Sequence, residues 1–302
     1  MRKVAMIMVI SLVIAMSVPS SSAKPAVESN NGPVFGGQHT NVSAQSNQTN
    51  QISMLPPVAE DFTATWCSNC VKVEHALDEL ELEGELQKYE FHVDPDIDES
   101  GFGSTEITQH FRSRYNVQSP PLVAINGIMK KEGSVPESDS LVSDYRNMMQ
   151  TQLELGDAVS SFAWTPAANC DCDLPDDMGI ISWNLDADVS AYPSAILSVN
   201  AWIVEQSADF SDGSNGQGTY FDIVRQIIDL GDNSQGTANV TIPTAIDGDD
   251  LEIHLVYVMS IPQSTDDSSV TTTPDEASPL PGFTASFAIL AIAGAVMLSR
   301  RN

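Results

Sequence analysis

Apolar and polar positions divide the chain into distinct stretches. Val4 to Val18 is an almost unbroken apolar run, and Lys24 to about Met54 is Ser, Asn, Gln and Gly without apolar periodicity. From 55 to 155, short apolar runs of strand length alternate with segments at helical spacing. From 156 to 262, strand-like runs follow one another between Gly, Asn, Asp and Ser turns. Residues 263–280 are polar again, and the chain closes on an apolar stretch that ends at Leu298.

Within 55–155 the pattern predicts a strand over Val58 to Thr63 and a helix over Cys70 to Leu86, with Val71, Val73, Leu77, Leu80 and Leu82 spaced along it. Further strands are expected at Tyr89 to Val93 and Leu122 to Ile125. Asn126-Gly127 is a hairpin signal leading to a return strand at Ile128 to Lys130. Helical patterns cover 104–115 and about Ser138 to Leu155. Strands alternating with helices predict an α/β or α+β layer fold.

Within 156–262 the expected strands are Val159 to Trp164, Ile180 to Leu185, Ile196 to Val204, Tyr220 to Asp229, Asn239 to Ile242 and Leu251 to Ile261. The last places Leu251, Ile253, Leu255, Tyr257 and Met259 on one face. Within the fourth of these strands, Phe221 to Arg225 is the segment that could form a helical turn instead. Short strands with turn punctuation predict an all-β, sandwich-like domain.

The ends read as address labels. Arg2 and Lys3, the apolar run and Ser21-Ser22-Ala23 make residues 1–23 a signal peptide. Residues 24–54 are expected to be a flexible polar tether and 263–280 a polar stalk. Residues 281–302 join Pro281-Gly282-Phe283, an apolar segment at about 284–298 and Arg300-Arg301. That order resembles the PGF-CTERM sorting signal of archaeal surface proteins. The resemblance implies processing by an archaeosortase and a lipid anchor, or otherwise a transmembrane segment with its basic end in the cytoplasm.

Composition then narrows the function. The chain has 302 residues with 13 basic against 41 acidic side chains, a net charge of -28. Arg2, Lys3, Arg300 and Arg301 lie in acid-free ends, so the middle is more acidic still. Such a surface excludes nucleic acid as a partner, because no cation cluster is available to displace phosphate counterions. Four cysteines form two close pairs, Cys67/Cys70 and Cys170/Cys172.

The first pair carries the chemistry. It falls in the turn between the first predicted strand and helix of the α/β half, in Trp66-Cys67-Ser68-Asn69-Cys70. A helix N-terminus favours negative charge, so the first thiol is lowered toward thiolate and the second can attack a mixed disulfide. The block from Asp61 to Cys70 resembles the thioredoxin superfamily, as do Val93-Asp94 and the segment Tyr115 to Gly127. The resemblance implies a thioredoxin-like domain over 55–155 in which Cys67 is the nucleophile and Cys70 the resolving thiol. It makes Asp61 a buried carboxylate serving Cys70, Pro120 the cis residue beside the disulfide, and Trp66 a cap on the site. Ser68-Asn69 differs from the dipeptides of the reducing and strongly oxidising members, and Ser119 stands where Thr or Val is common.

A C-x-x-C is also half of a zinc site, but zinc takes four ligands and no second such pair or close His pair exists. Asp94 to Glu99 lacks the Gly and late Glu of a calcium-binding EF-hand loop. No metal and no cofactor is therefore expected. His75 and His110 read as surface or packing residues. Cys170-Asp171-Cys172 lies in an acidic loop, as a loop disulfide, free thiols or an accessory redox pair. The expected protein is an extracytoplasmic, membrane-tethered thiol–disulfide oxidoreductase. Its expected partners are cysteine-containing extracytoplasmic proteins, a membrane or secreted redox partner and an archaeosortase. The competing reading is a cell-surface binding or adaptor module whose disulfide is structural.

Overall fold

A computed structural model describes residues 23–262; the stalk, the tail and all of the signal before Ala23 lie outside them. In chain order the strands and helices begin with β1 (Val27–Glu28), β2 (Val34–Asn41) and β3 (Ser46–Gln51). The α/β half follows as β4 (Val58–Thr63), α1 (Cys70–Leu82), β5 (Gln87–His92), α2 (Thr105–Tyr115), β6 (Leu122–Ile125), β7 (Met129–Glu132) and α3 (Leu141–Met148). The all-β half is β8 (Val159–Pro166), β9 (Met178–Asp186), β10 (Ile196–Asp209), β11 (Thr219–Gly231), β12 (Gln235–Thr241) and β13 (Leu251–Ser260).

Local chemistry explains where the helices start and stop. Ser104 and Ser140 cap α2 and α3 by accepting the N–H of Ile107 and Ser143, each at 3.1 Å. Asn116 closes α2 in the left-handed region at φ 51°. Cys70, Val73, Glu74, Ala76, Leu77 and Leu80 form the buried stripe of α1. With α3 it covers Ala59, Val123 and Ile125 on one face of the sheet. On the other face Phe111 and Tyr115 of α2 pack with Phe62 and Phe91. All six residues of β4 are buried, because helices cover both faces and strands flank both edges.

One nine-stranded sheet runs through both halves in the order β1-β7-β6-β4-β5-β11-β10-β13-β2. β4 and β5 are parallel, whereas β6 is antiparallel to both β4 and β7. The halves join where Ile223 of β11 pairs in parallel with Glu90 of β5. The expected boundary at 155/156 therefore does not separate two bodies, and the described residues form a single unit. A second sheet, β12-β9-β8-β3, packs face to face on β10, β13 and β2. Phe162, Trp164, Ile181 and Trp183 from it meet Val199, Ile203, Ile253, Leu255 and Tyr257. Each of these large side chains contributes about 1.5–3 kcal/mol by leaving water.

The stretch 24–54 is not a tether. It supplies both edges of the large sheet, β1 beside β7 and β2 beside β13, and β3 at the edge of the small one. Nine strands laid flat would span roughly 38 Å from first to last, at about 4.8 Å per step. The few residues between Glu28 and Val34 reach at most about 22 Å. The sheet must therefore curl, and it does: the Val34 N–H at the start of β2 donates to the Asn126 carbonyl, just after β6, at 2.8 Å. Two glycines make β2 possible. Gly36 and Gly37 take φ values of 111° and 83°, forming a bulge opposite Leu255 and Val256. Phe221 to Arg225, where a helical turn is the alternative, is strand like the rest of β11, with an irregularity opposite Ile203 and Val204 that absorbs Arg225.

Candidate functional site

β4 delivers the chain from the centre of the sheet into the turn Ala64-Thr65-Trp66, and α1 begins at Cys70. Cys67 and Cys70 are joined by a disulfide with Cα atoms 5.3 Å apart. Asn69, at the N-cap of α1, makes no side-chain cap, and the first turn holds no acid. The Cys70 N–H donates to the Cys67 carbonyl at 3.1 Å and also faces the Cys67 sulfur, 3.2 Å away. That sulfur therefore sits at the N-terminus of α1, where the helix dipole favours a thiolate. Cys70 is fully buried and Cys67 is 6% exposed, while Trp66 beside them is 41% exposed.

The turn rests on a row of buried charges. Asp98 accepts both the N–H and the hydroxyl of Thr65, at 2.7 and 2.6 Å. His92 lies 3.6 Å from Asp98 on one side and 3.3 Å from Glu90 on the other. Glu90 in turn is 2.9 Å from the Lys88 ammonium, which also meets Asp78 and Asp222. Signs alternate along the row, so each charge has an opposite neighbour. Burial would lower the His92 pKa, but bonding to Asp98 and Glu90 outweighs it and holds the imidazole at about 9. Asp98 sits well below the usual carboxylate range: burial pushes it up, and bonds from His92 and Thr65 overcome that.

Asp61 differs from its neighbours. It is fully buried in β4, paired across the sheet with Glu90 and Val123, and neither carboxylate oxygen has a hydrogen-bond partner. Burial, then Glu74 and Glu90, raise its pKa well above the ordinary value. Glu74, one turn into α1, accepts from Thr63 and Gln217 yet is pushed up to about 7 by burial and then Glu90. Buried carboxyls that hold protons near neutral pH are suited to exchanging them.

One expected role moves by a residue. The cis peptide bond joins Pro120 to Pro121, so Pro121, not Pro120, is the cis proline. A Pro-Pro pair offers two candidates, and the one directly before β6 is the cis residue. Leu122 pairs with Phe62, which puts Pro121 at the same end of the sheet as the cysteine turn. Pro120 is half-buried and Pro121 buried.

The sequence reading missed the part played by the all-β half. The loop between β10 and β11 reaches the cysteine turn: the Asn215 N–H donates to the Thr65 carbonyl at 3.0 Å. Tyr220 in turn donates to the Asn215 side chain at 2.9 Å. A Cβ on Gly213 would stand 2.9 Å from the Thr65 oxygen, so this approach needs glycine. The cluster Gly213, Asn215 and Gly216 was legible as a turn, but its target was not. Cys170 and Cys172 are disulfide-bonded in a loop between β8 and β9. Away from both pairs, His39, Glu252 and His254 converge at the β2–β13 edge.

Comparison with known proteins matches the PGF-CTERM motif to residues 280–302. The motif marks archaeal surface proteins anchored to the membrane after archaeosortase processing, and this chain is accordingly an extracytoplasmic, membrane-anchored surface protein. No curated protein matches the chain. A solved structure of a protein from Agrobacterium tumefaciens is similar, at 17% identity and a TM-score of 0.40, covering 69% of this chain and 95% of that one.

Proposed function

We propose that the chain is a surface-tethered thiol–disulfide oxidoreductase acting on cysteines of extracytoplasmic proteins. The observation that carries this reading is the Cys67–Cys70 pair set at the N-terminus of α1, with the Cys67 sulfur 3.2 Å from the Cys70 N–H. The order β4-α1-β5-α2-β6-β7-α3, with its parallel and antiparallel pairs, supports a thioredoxin-like arrangement around it. So do the buried Asp61 and a cis proline at the same sheet end.

In the reducing direction the Cys67 thiolate attacks one sulfur of a substrate disulfide. A mixed disulfide forms and one substrate thiolate leaves. Cys70 loses its proton toward Asp61 and attacks the Cys67 sulfur. The Cys67–Cys70 bond forms, the second substrate thiolate leaves, and two electrons have passed to the substrate. The same steps in reverse oxidise a substrate dithiol and leave the pair reduced. A membrane or secreted redox partner then resets the pair.

Trapping tests the reading. Cys70→Ala removes the resolving thiol, so covalent complexes should accumulate through Cys67, whereas Cys67→Ala should give none. Diagonal gels run without reductant in the first dimension show the adducts. The near-burial of Cys67 favours a second reading, a binding module with a structural disulfide. An absence of adducts in both variants would select it.

A further inference from the structure

The chain contains five histidines, and two of them face each other across the last strand pair: His39 of β2 is in register with His254 of β13. Their rings stack at 4.5 Å. Glu252, two residues before His254, lies on the same face of β13. Its carboxylate is 3.1 Å from the His254 Nε2 and 3.8 Å from the His39 Nε2. Ligand atoms from all three residues lie within 4.8 Å of one another.

From this geometry we propose that His39, Glu252 and His254 form a binding site for a borderline divalent transition cation, Zn2+ in the first instance. The 3.8 Å gap between His39 and Glu252 is too long for a hydrogen bond. It leaves room for an ion about 2.0–2.2 Å from each ligand, after small side-chain rotations. The opposite nitrogens are already engaged. His39 Nδ1 lies 2.9 Å from the Gly37 carbonyl, which can only accept, so the proton sits on Nδ1 and the Nε2 lone pair is free.

His254 Nδ1 lies 3.1 Å from the Tyr89 hydroxyl and 3.2 Å from the Gln87 amide. Turning that amide over places its oxygen toward the Nδ1 atoms of both rings. These partners fix ring orientation as outer-sphere groups do around zinc. The exposures are graded: the His254 side chain is 4% exposed, Glu252 14% and His39 44%. Protein therefore closes the inner side, and the outer side opens to solvent for water or a substrate atom as fourth ligand.

The bound ion would tie β2 to β13 with β5 behind it, independently of whether the cysteine pair is redox-active. The test uses the full chain in detergent, both disulfides kept oxidised, stripped with chelator and titrated with ZnCl2 by calorimetry. One Zn2+ per chain should bind, and saturation should raise Tm by about 5 °C or more. His39→Ala, at an exposed position that the fold tolerates, and Glu252→Gln should each weaken binding at least tenfold. His75→Ala should leave it unchanged, and CaCl2 should give no heat. X-ray absorption of the zinc-loaded protein should show two imidazoles and a carboxylate. Absence of stoichiometric binding, or equal affinity in wild type and His39→Ala, would overturn the site.

Discussion

His92 should make the protein lose stability as pH rises from near neutral to mildly alkaline. Its pKa is raised from 6.5 to about 9 by Asp98 and Glu90, against the effect of burial. A raised folded pKa means that the stabilisation is complete below 6.5 and is lost as pH climbs through 9. Two and a half units correspond to about 3 kcal/mol, arriving at up to about 1.4 kcal/mol per pH unit. Glu60 and Glu74, both raised to about 7, also lose stabilisation with rising pH, but over the interval from 4.5 to 7. The interval from 7 to 9.5 lies above both, and the difference between wild type and a His92 variant there separates the imidazole from Asp61 and Asp222, whose pKa values are also raised. The perturbation is His92→Gln, which keeps a donor toward one carboxylate and removes the charge. Guanidinium unfolding followed by tryptophan fluorescence at pH 7, 8, 9 and 9.5 gives the two curves. Wild type should fall by roughly 2–3 kcal/mol more than the variant across them, so that the gap closes toward pH 9.5. A gap of constant size would show that His92 does not gain its proton from Asp98 and Glu90, and the reasoning about the buried row would fail.

Asp61→Asn should split stability from chemistry. The raised Asp61 pKa makes its ionised form costly in the fold above neutral pH, so Tm at pH 8 should rise. Stopped-flow resolution by Cys70 should slow most near pH 7 and recover at high pH, and an unchanged pH profile would remove Asp61 from the proton path. Lys88→Met leaves Asp78 and Asp222 without this ammonium and Glu90 with His92 alone. The expected loss is about 3–5 kcal/mol by chemical denaturation, and a loss below 1 kcal/mol would mean that those carboxylates find other partners. Intact-mass analysis of native membrane protein should find a chain starting near Lys24 and lacking residues 284–302. Retention of those residues would replace lipid anchoring with a transmembrane helix.

Elements with strong periodicity were legible in the residues themselves. Val58 to Thr63 and Leu122 to Ile125 match β4 and β6 end to end, and α1 starts at Cys70 as expected. The helix expected from Ser138 to Leu155 shrinks to Leu141–Met148, since the rest of its apolar pattern packs from a loop. The tether failed for a different reason. β3 reads Ser-Asn-Gln-Thr-Asn-Gln, with half-buried and exposed residues alternating but no apolar member to announce a strand. As an edge strand it is held by backbone pairing with β8 rather than by side-chain burial. β2 was hidden by Gly36 and Gly37, whose bulge breaks the period of two. The cysteine site was legible because its parts are local: a pair, a helix start and a carboxylate six residues before. The buried row beneath it was not, because Asp98 and Asn215 reach Thr65 from separate loops. The histidine pair was invisible for the same reason, as register alone joins β2 to β13.

That the first long strand pairs with the last has a consequence in time. Secretion feeds the N-terminus out first, so β2 waits outside the membrane while the whole of its partner is still to come. Holding two such distant segments together costs only a logarithmically growing entropy, but pairings this remote make folding slow. A chain cut short before Leu251 leaves two strand edges open, β10 and β2, and open edges invite aggregation or proteolysis. It also lacks residues 280–302, which carry the anchoring motif. Completion of the sheet and possession of the anchor thus fall to the same copies. Only a finished chain can both close its fold and stay at the cell surface.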